Sequence, residues 1–485
     1  MRPTQRKPTP RHIRRHTCIR AGYLMPVVAA MLASDSSHAT NGMNLEAYGA
    51  KAGGMGGAAF AYDSGNSAVM NNPATLSLRP GSSDFGVGLT LLSPNVSASH
   101  PLAGKVESDG TAYWMPTISY MRERKGFTYG VAMLAQGGMG TEYGVGSPLF
   151  AMGCPASTFV SGTCNPGDMQ AMSGDEIRSE VGVGRVMFPV AWQANERLSL
   201  AGQLDVVWAG MDLQMDMDGR TLAGMMSQGL ATGGITGALG GLGDLHYARF
   251  DFSNGSPFTG EAKSYGWAYK LGVLFKATDQ LNVGLTYHAK THLGDMKAAG
   301  ASMSAAGDHD LNPATPPVVT TMTGTLKVID FQWPETYGIG LAWTPNTQWM
   351  LAADVKRLRW SDAMKDFRMS FVAGPGMDLN VTMPQNWDDQ TVVSVGVQYK
   401  PSKPWALRFG INQASNPVPA NTLNPLFPAI VERHYTAGVG YRMNEADSIG
   451  AAITYAPKVS QTGTATGITS DHSQMSLRVN YNHSF

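Results

Sequence analysis

The chain has 485 residues, of which 15% are charged and 43% hydrophobic, with 57 glycines. Few charges and abundant glycine suit short strands and turns, and argue against a helical protein. Seven of the 36 basic residues lie before position 39, and residues 40–485 carry 29 basic and 35 acidic residues. No basic stripe remains, which excludes nucleic acid as an indicated partner.

In chain order, residues 1–39 read first, as a secretory signal. Arg2, Arg6, Lys7, Arg11, Arg14, Arg15 and Arg20 precede an apolar stretch at 21–33, and Ser37-His38-Ala39 forms a small-residue cleavage site. Thirteen apolar residues at ~1.5 Å each span about 20 Å, short of the ~30 Å hydrocarbon core. A signal peptide is therefore preferred to an anchor. Cys18 precedes the apolar stretch and leaves with the signal.

Residues 40–83 are rich in Gly, Ala and Asn and have no long alternating run. Short helices are predicted around 57–62 and 65–70, and Asn71-Asn72-Pro73 imposes a turn. Such a segment has little surface with which to fold alone and needs a surrounding wall. A flexible periplasmic tail is the plainer alternative. The interspersed Met43, Leu45, Tyr48, Met55, Phe60, Met70 and Leu76 favour packing.

From residue 84 onward no apolar run approaches the ~20 residues of a spanning helix. Instead, stretches of about ten residues alternate apolar and polar side chains, the repeated signature of a transmembrane β-barrel. In 264–277, Tyr265, Trp267, Tyr269, Leu271, Val273 and Phe275 share one face, with Leu274 the exception. Segments 198–208, 281–289 and 337–343 repeat the pattern. The last, 473–485, ends on Phe485, the usual terminal aromatic of bacterial outer-membrane barrels, which the assembly machinery reads. About fourteen such segments are predicted, joined by short turns at 123–126, 194–197, 277–280, 344–347 and 444–447. Longer inserts read as extracellular loops: 138–177, 218–243 with a helical first half, and the irregular 300–316 and 415–432. Cys154 and Cys164 lie in the first of these. In an oxidising compartment a loop disulfide is the first reading, and no His lies near the pair to suggest a metal.

Catalytic patterns are missing. There is no G-x-S-x-G and no H-E-x-x-H. Asp216, Asp218 and Gly219 begin a calcium-loop pattern that nothing completes. No enzyme, metal or cofactor is indicated. His288, Lys290 and His292 are predicted on one lumen-side face, where they would meet a ligand carboxylate or, more plainly, line a polar lumen, as would Arg185, Lys270 and Arg408. Methionine is abundant at 29 residues. Those in the N-terminal segment and loops, such as Met139 and Met225, suit a pocket for varied apolar ligands or serve as packing filler.

The chain resembles the FadL-type long-chain fatty acid and hydrocarbon transporters of Gram-negative outer membranes. The N-terminal likeness is carried by Gly53-Gly54-Met55-Gly56-Gly57-Ala58, Ala61-Tyr62-Asp63 and Asn72-Pro73-Ala74. The later likeness runs through Trp333-Pro334-Glu335, Met383-Pro384, Trp387, 391–399, 405–410, Asn416-Pro417-Val418-Pro419 and 435–441. The resemblance implies an all-β transmembrane antiparallel barrel of about fourteen strands (84–485) plugged by an N-terminal hatch (40–83). It implies passive uptake of a hydrophobic small molecule, with lateral release into the membrane. The third strand, near 126–140, is the expected position of the opening, because Gln136-Gly137-Gly138-Met139-Gly140 cannot easily keep a regular ladder. Met43, Phe60, Met70, His288 and Lys290 are candidate substrate-binding residues. Expected partners are the ligand, outer-membrane lipid or lipopolysaccharide, and the barrel assembly machinery through Phe485, with the protein a monomer. A general porin, or a surface receptor or adhesin, are the competing readings.

Overall fold

A computed structural model describes residues 41–79, 81, 83–255, 260–309 and 316–485. The expected signal segment, 1–39, lies outside them. Among the described residues no helix is long and apolar enough to cross a membrane. The wall is built of antiparallel strands: β1 (Ser83–His100), β2 (Tyr113–Arg124), β3 (Phe127–Tyr143), β4 (Ile177–Gln193), β5 (Leu198–Asp218), β6 (Ala262–Lys276), β7 (Leu281–His288), β8 (Thr336–Trp343), β9 (Trp349–Leu358), β10 (Gln390–Ser402), β11 (Trp405–Ala414), β12 (Arg433–Arg442), β13 (Asp447–Thr462) and β14 (Thr469–Ser484). Each pairs with the next, and β14 pairs back onto β1 from Asp84↔Ser484 to Ser99↔Thr469, which closes the sheet. Closure leaves no unpaired edge at this level, the condition for a sheet to stand in lipid.

The alternating pattern is the outside–inside alternation of this wall. Tyr265, Trp267, Tyr269, Leu271 and Phe275 are exposed, while Ala268 and Lys270 between them are buried. Leu274, which broke the pattern, points inward and packs against the N-terminal segment. Exposed Phe127, Trp192, Trp343, Trp349 and Trp405 gather at the short-turn end, and Phe485 ends the chain there. Such aromatic rings suit a membrane interface.

Beyond β6 the wall is discontinuous. The chain leaves the ladder at 289–291, 330–335, 359–365 and 385–389, then continues on the loop side as Met296–Asp308, Val318–Ile329, Asp366–Gly374 and Met377–Pro384. Asp244–Phe252 joins this upper sheet by pairing with the end of β5. Residues 300–308, expected to be loop, are therefore strand. Their apolar alternation is written in small residues, Ala301, Met303 and Ala305, all buried. Residues 415–432 contain no strand, and Gly219–Ser227 is a helix, as its spacing predicted. Cys154 and Cys164 are joined, with Cα atoms 6.1 Å apart.

Residues 41–78 pack inside the ring. Their helices fall at Gly49–Gly53, Gly65–Val69 and Pro73–Leu78. Residues 57–62, read as helical, are instead turn and bend, because positive φ at Gly56 and Gly57 breaks the helix before it. Asn72 opens the last helix, its Oδ1 accepting from Ala74 N at 3.1 Å, while its Nδ2 donates to the β6 carbonyl of Val273 at 3.0 Å. Backbone meets backbone at Gly56, where a methyl group would lie 2.6 Å from the Ile411 carbonyl oxygen. The glycine run is thus explained by close approach to the wall.

Candidate ligand pocket and wall gap

The β2–β3 ladder runs from Arg124↔Phe127 up to Thr117↔Leu134 and stops there. β3 continues to Tyr143 without β2 beside it, still paired on its other side with β4, and its register there shifts between Ala135 and Gly137. Gln136 is the extra residue of this bulge. On β2 the first residue beyond the last pair is Pro116, which has no N–H to donate and suits an edge without a partner. A wall that is closed below is therefore open above, between the ends of β2 and β3.

Behind the gap lies an apolar cavity of about 230 Å³. Met43, Leu45, Tyr113, Met115, Gly138 and Trp208 are among its walls, and neither Lys nor Arg lines it. On the far side of Met43 lies a smaller apolar space between Met211, Met215, Met364, Phe367 and Phe427. Met43, 3% exposed, lines both spaces, as does Val181. Met43→Ala is expected to cost about 2–5 kcal/mol and to join the spaces. Thermal unfolding and a changed ligand size preference would report it; unchanged values for both would refute the placement.

Residues 41–45 are held at this point by the strand interruptions. Trp333, Trp360 and Trp387 turn inward there and are fully buried, with ring centroids 5.7 and 5.3 Å apart. Trp333 Nε1 donates to Asn44 Oδ1 at 2.6 Å. Gly42 lies on Trp360, where a methyl group would be 2.6 Å from the indole. The bulge closes the contact from the other side: Tyr48 Oη donates to the Gln136 carbonyl at 2.6 Å, and Asn44 bridges to Gly137.

Polar side chains of the lumen face the N-terminal segment. Asp205 binds Arg185 at 2.7 Å and Lys270 at 2.9 Å. Lys270 Nζ donates to the Val69 carbonyl at 3.1 Å, and Arg185 Nε donates to Gln136 Oε1 at 2.5 Å. Asp354 accepts from the Ala59 and Phe60 amides at 2.6 and 3.0 Å. Arg408 donates to Gln398. Glu46 meets Arg478 at 2.7 Å. Burial alone would raise the Glu46 carboxyl, but the Arg478 guanidinium, His434 and hydrogen bonds including that from Thr454 together outweigh it and hold the group at about 2, below the ordinary 4.5. The group is depressed, so this anchor is complete above pH 4.5 and is lost as pH falls toward 2. Channel conductance is expected to rise over that window in the wild type and not in Glu46→Gln. The same rise in both would assign it to other groups.

Of the candidate substrate residues only Met43 lines the cavity. Phe60 and Met70 are buried against the wall, Met70 Sδ lying 3.0 Å from Lys270 Nζ. His288 Nε2 lies 3.2 Å from the Asn71 carbonyl. Lys290 donates to the Asp362 carbonyl at the surface. The expected shared face of His288, Lys290 and His292 does not form. β7 ends at His288, and His292 lies outside, stacked on Trp267 at 4.5 Å. Gly53, Gly54, Met55, Gly56, Gly57, Asn72, Pro73 and Ala74 all belong to the inner segment. Sequence reading named Trp333 and Trp387 only as carriers of the family likeness, and missed Trp360, Trp208 and Met115 as site residues. Pro116 inside an alternating strand was the available signal.

The family model described as "Outer membrane protein transport protein (OMPP1/FadL/TodX)" matches residues 167–484. The P. putida toluene transporter TodX superimposes with a TM-score of 0.78 at 28% identity, covering 91% of this chain and 99% of that one. A long-chain fatty acid transport protein of Escherichia coli is 22% identical over 414 residues, 82% of each chain. An uncharacterised Chlorobium limicola protein encoded 5′ of a phosphoenolpyruvate carboxykinase gene is 54% identical over 68 residues. That match takes in 14% of this chain and only 34% of the relative.

Proposed function

Because the chain belongs to the outer membrane protein transport protein family (OMPP1/FadL/TodX), we propose that it takes up small hydrophobic molecules passively and releases them sideways into the bilayer. The observation that carries this reading is the ladder gap above Thr117↔Leu134, which opens onto the apolar cavity beside Met43. A hydrophobic molecule lowers its free energy by entering apolar surroundings and raises it by entering water. An exit toward lipid therefore lies downhill, while one toward the periplasm does not. In this reading residues 40–83 are the hatch, and the wall around them is a ring of fourteen strands, each interrupted strand counted once. The filled interior disfavours a general porin. Deleting 40–80 is expected to raise conductance in planar bilayers, and unchanged conductance would count against a plug.

The cavity favours uncharged hydrocarbons over fatty acids. An ionised carboxylate buried without a partner is costly. Neither Lys nor Arg lines the cavity, and Arg185 and Lys270 are already engaged with Asp205. Toluene is the transported molecule named for the 28% identical structure. The test uses cells that lack their own hydrophobic-uptake protein and express this chain. Labelled toluene uptake is expected to rise while labelled palmitate stays at background. A rise for palmitate alone would overturn the substrate class, and sugar entry without either would favour a porin.

A further inference from the structure

Three lysines stand side by side on the outer surface of the wall. Lys263 of β6 is the register partner of Lys297, and Lys297 is the register partner of Lys327. Ser370 follows on the next strand, opposite Lys327. All three lysines point outward, for Ala262, Met296, Ala298, Leu326 and Val328 beside them are buried. None of the three takes part in an ion pair among the described residues, whereas nearby Asp330 is taken by Arg368 at 3.1 Å. Neighbouring strands lie about 4.8 Å apart, and like charges directly opposite one another destabilise a sheet. A row of three such charges in register calls for an anion.

Its height on the wall identifies the kind of anion. Phe275 lies in the aromatic ring at the short-turn end, and Tyr265 is ten residues up the same strand, 73% exposed beside Trp267. Ten residues at about 3.3 Å each, tilted by about 40°, climb about 25 Å, the height of the apolar band. Lys263 is one outward position beyond Tyr265. The row thus sits just above the hydrocarbon, on the side of the long loops, where head groups of the outward-facing leaflet lie.

We propose that Lys263, Lys297 and Lys327 form a binding site for the phosphate of a phosphorylated outer-leaflet lipid, lipopolysaccharide being the class expected in this membrane. A phosphate monoester carries about −1.5 to −2 charges at neutral pH and three acceptor oxygens, which matches three ammonium donors across adjacent strands. Aromatic Tyr265 and Trp267, directly below, face the acyl region of the same lipid. The site rests on the outer-membrane placement and not on the cargo, so it stands or falls separately from the transport reading.

The experiment measures binding of purified lipopolysaccharide, enzymatically dephosphorylated lipopolysaccharide and inorganic phosphate to the full chain in detergent. Tight binding is expected for intact lipopolysaccharide only. The triple Lys→Gln variant is expected to bind it about tenfold more weakly or worse, and the triple Lys→Arg variant to bind nearly as the wild type does, since charge-assisted contacts survive. Heat-modifiable gel migration confirms folding, and should the triple Gln variant not fold, Lys297→Gln alone is expected to weaken binding in the same direction. Equal binding by the Gln variant would overturn the site. So would equal binding of the dephosphorylated lipid, or complete displacement of lipid by inorganic phosphate. Toluene uptake by the Gln variant is expected to be unchanged.

Discussion

Deleting Gln136 is expected to lower hydrocarbon uptake about tenfold or more while the barrel still assembles, because it removes the extra residue that makes the bulge. Without it Ala135 and Gly137 become consecutive partners of Gly184 and Val183, where the present register slips. β3 then straightens toward β2 and the opening narrows. The deletion also removes the carbonyl that accepts from Tyr48 and the side chain that binds Arg185. Uptake in whole cells, with surface levels matched by blotting, checks this. Full uptake by the deletion variant would mean that the bulge does not make the path.

Asp205→Ala is expected to be the most damaging single change in the lumen. Asp205 is fully buried, as are Arg185 and Lys270, which share its carboxylate. Removing it leaves two buried cations facing each other, a situation that costs about 3–5 kcal/mol. Lys270 also donates to Val69 and Arg185 to Gln136, so the loss falls on the inner segment and the bulge together. Lowered thermal stability and bursts of increased conductance in planar bilayers are the expected result. A variant with wild-type stability and silent bilayers would show that the triad anchors nothing.

Much of this architecture is legible in the residues. The outward face of β6 was read directly from its aromatic alternation, since lipid on one side and lumen on the other impose a period of two. Gly53, Gly54, Gly56 and Gly57 marked a segment that lies against a wall. What escaped depends on partners distant in sequence. His292 was assigned to the lumen because its spacing from His288 is even, but the chain leaves the ladder between them and the parity is lost. Residues 300–308 hid a strand because small side chains carry a faint pattern. That Trp333, Trp360 and Trp387 meet depends on the strand interruptions falling at one height, which no local spacing encodes. The gap was legible on one side only: Gln136-Gly137 marked it on the third strand, while Pro116 on its neighbour went unread.

Whether cargo leaves through the wall or past the inner segment 41–78 is tested most directly by locking that segment in place. A Cβ placed at Gly450 lies 3.5 Å from that of Ala50, within the usual range for a disulfide. Ala50→Cys with Gly450→Cys would therefore tie the inner segment to β13 without touching the gap. Labelled toluene uptake is then measured in the same cells with and without reductant. Lateral release predicts equal uptake in the locked and unlocked states. Uptake that falls on oxidation and returns on reduction would place the route past the inner segment and contradict lateral release.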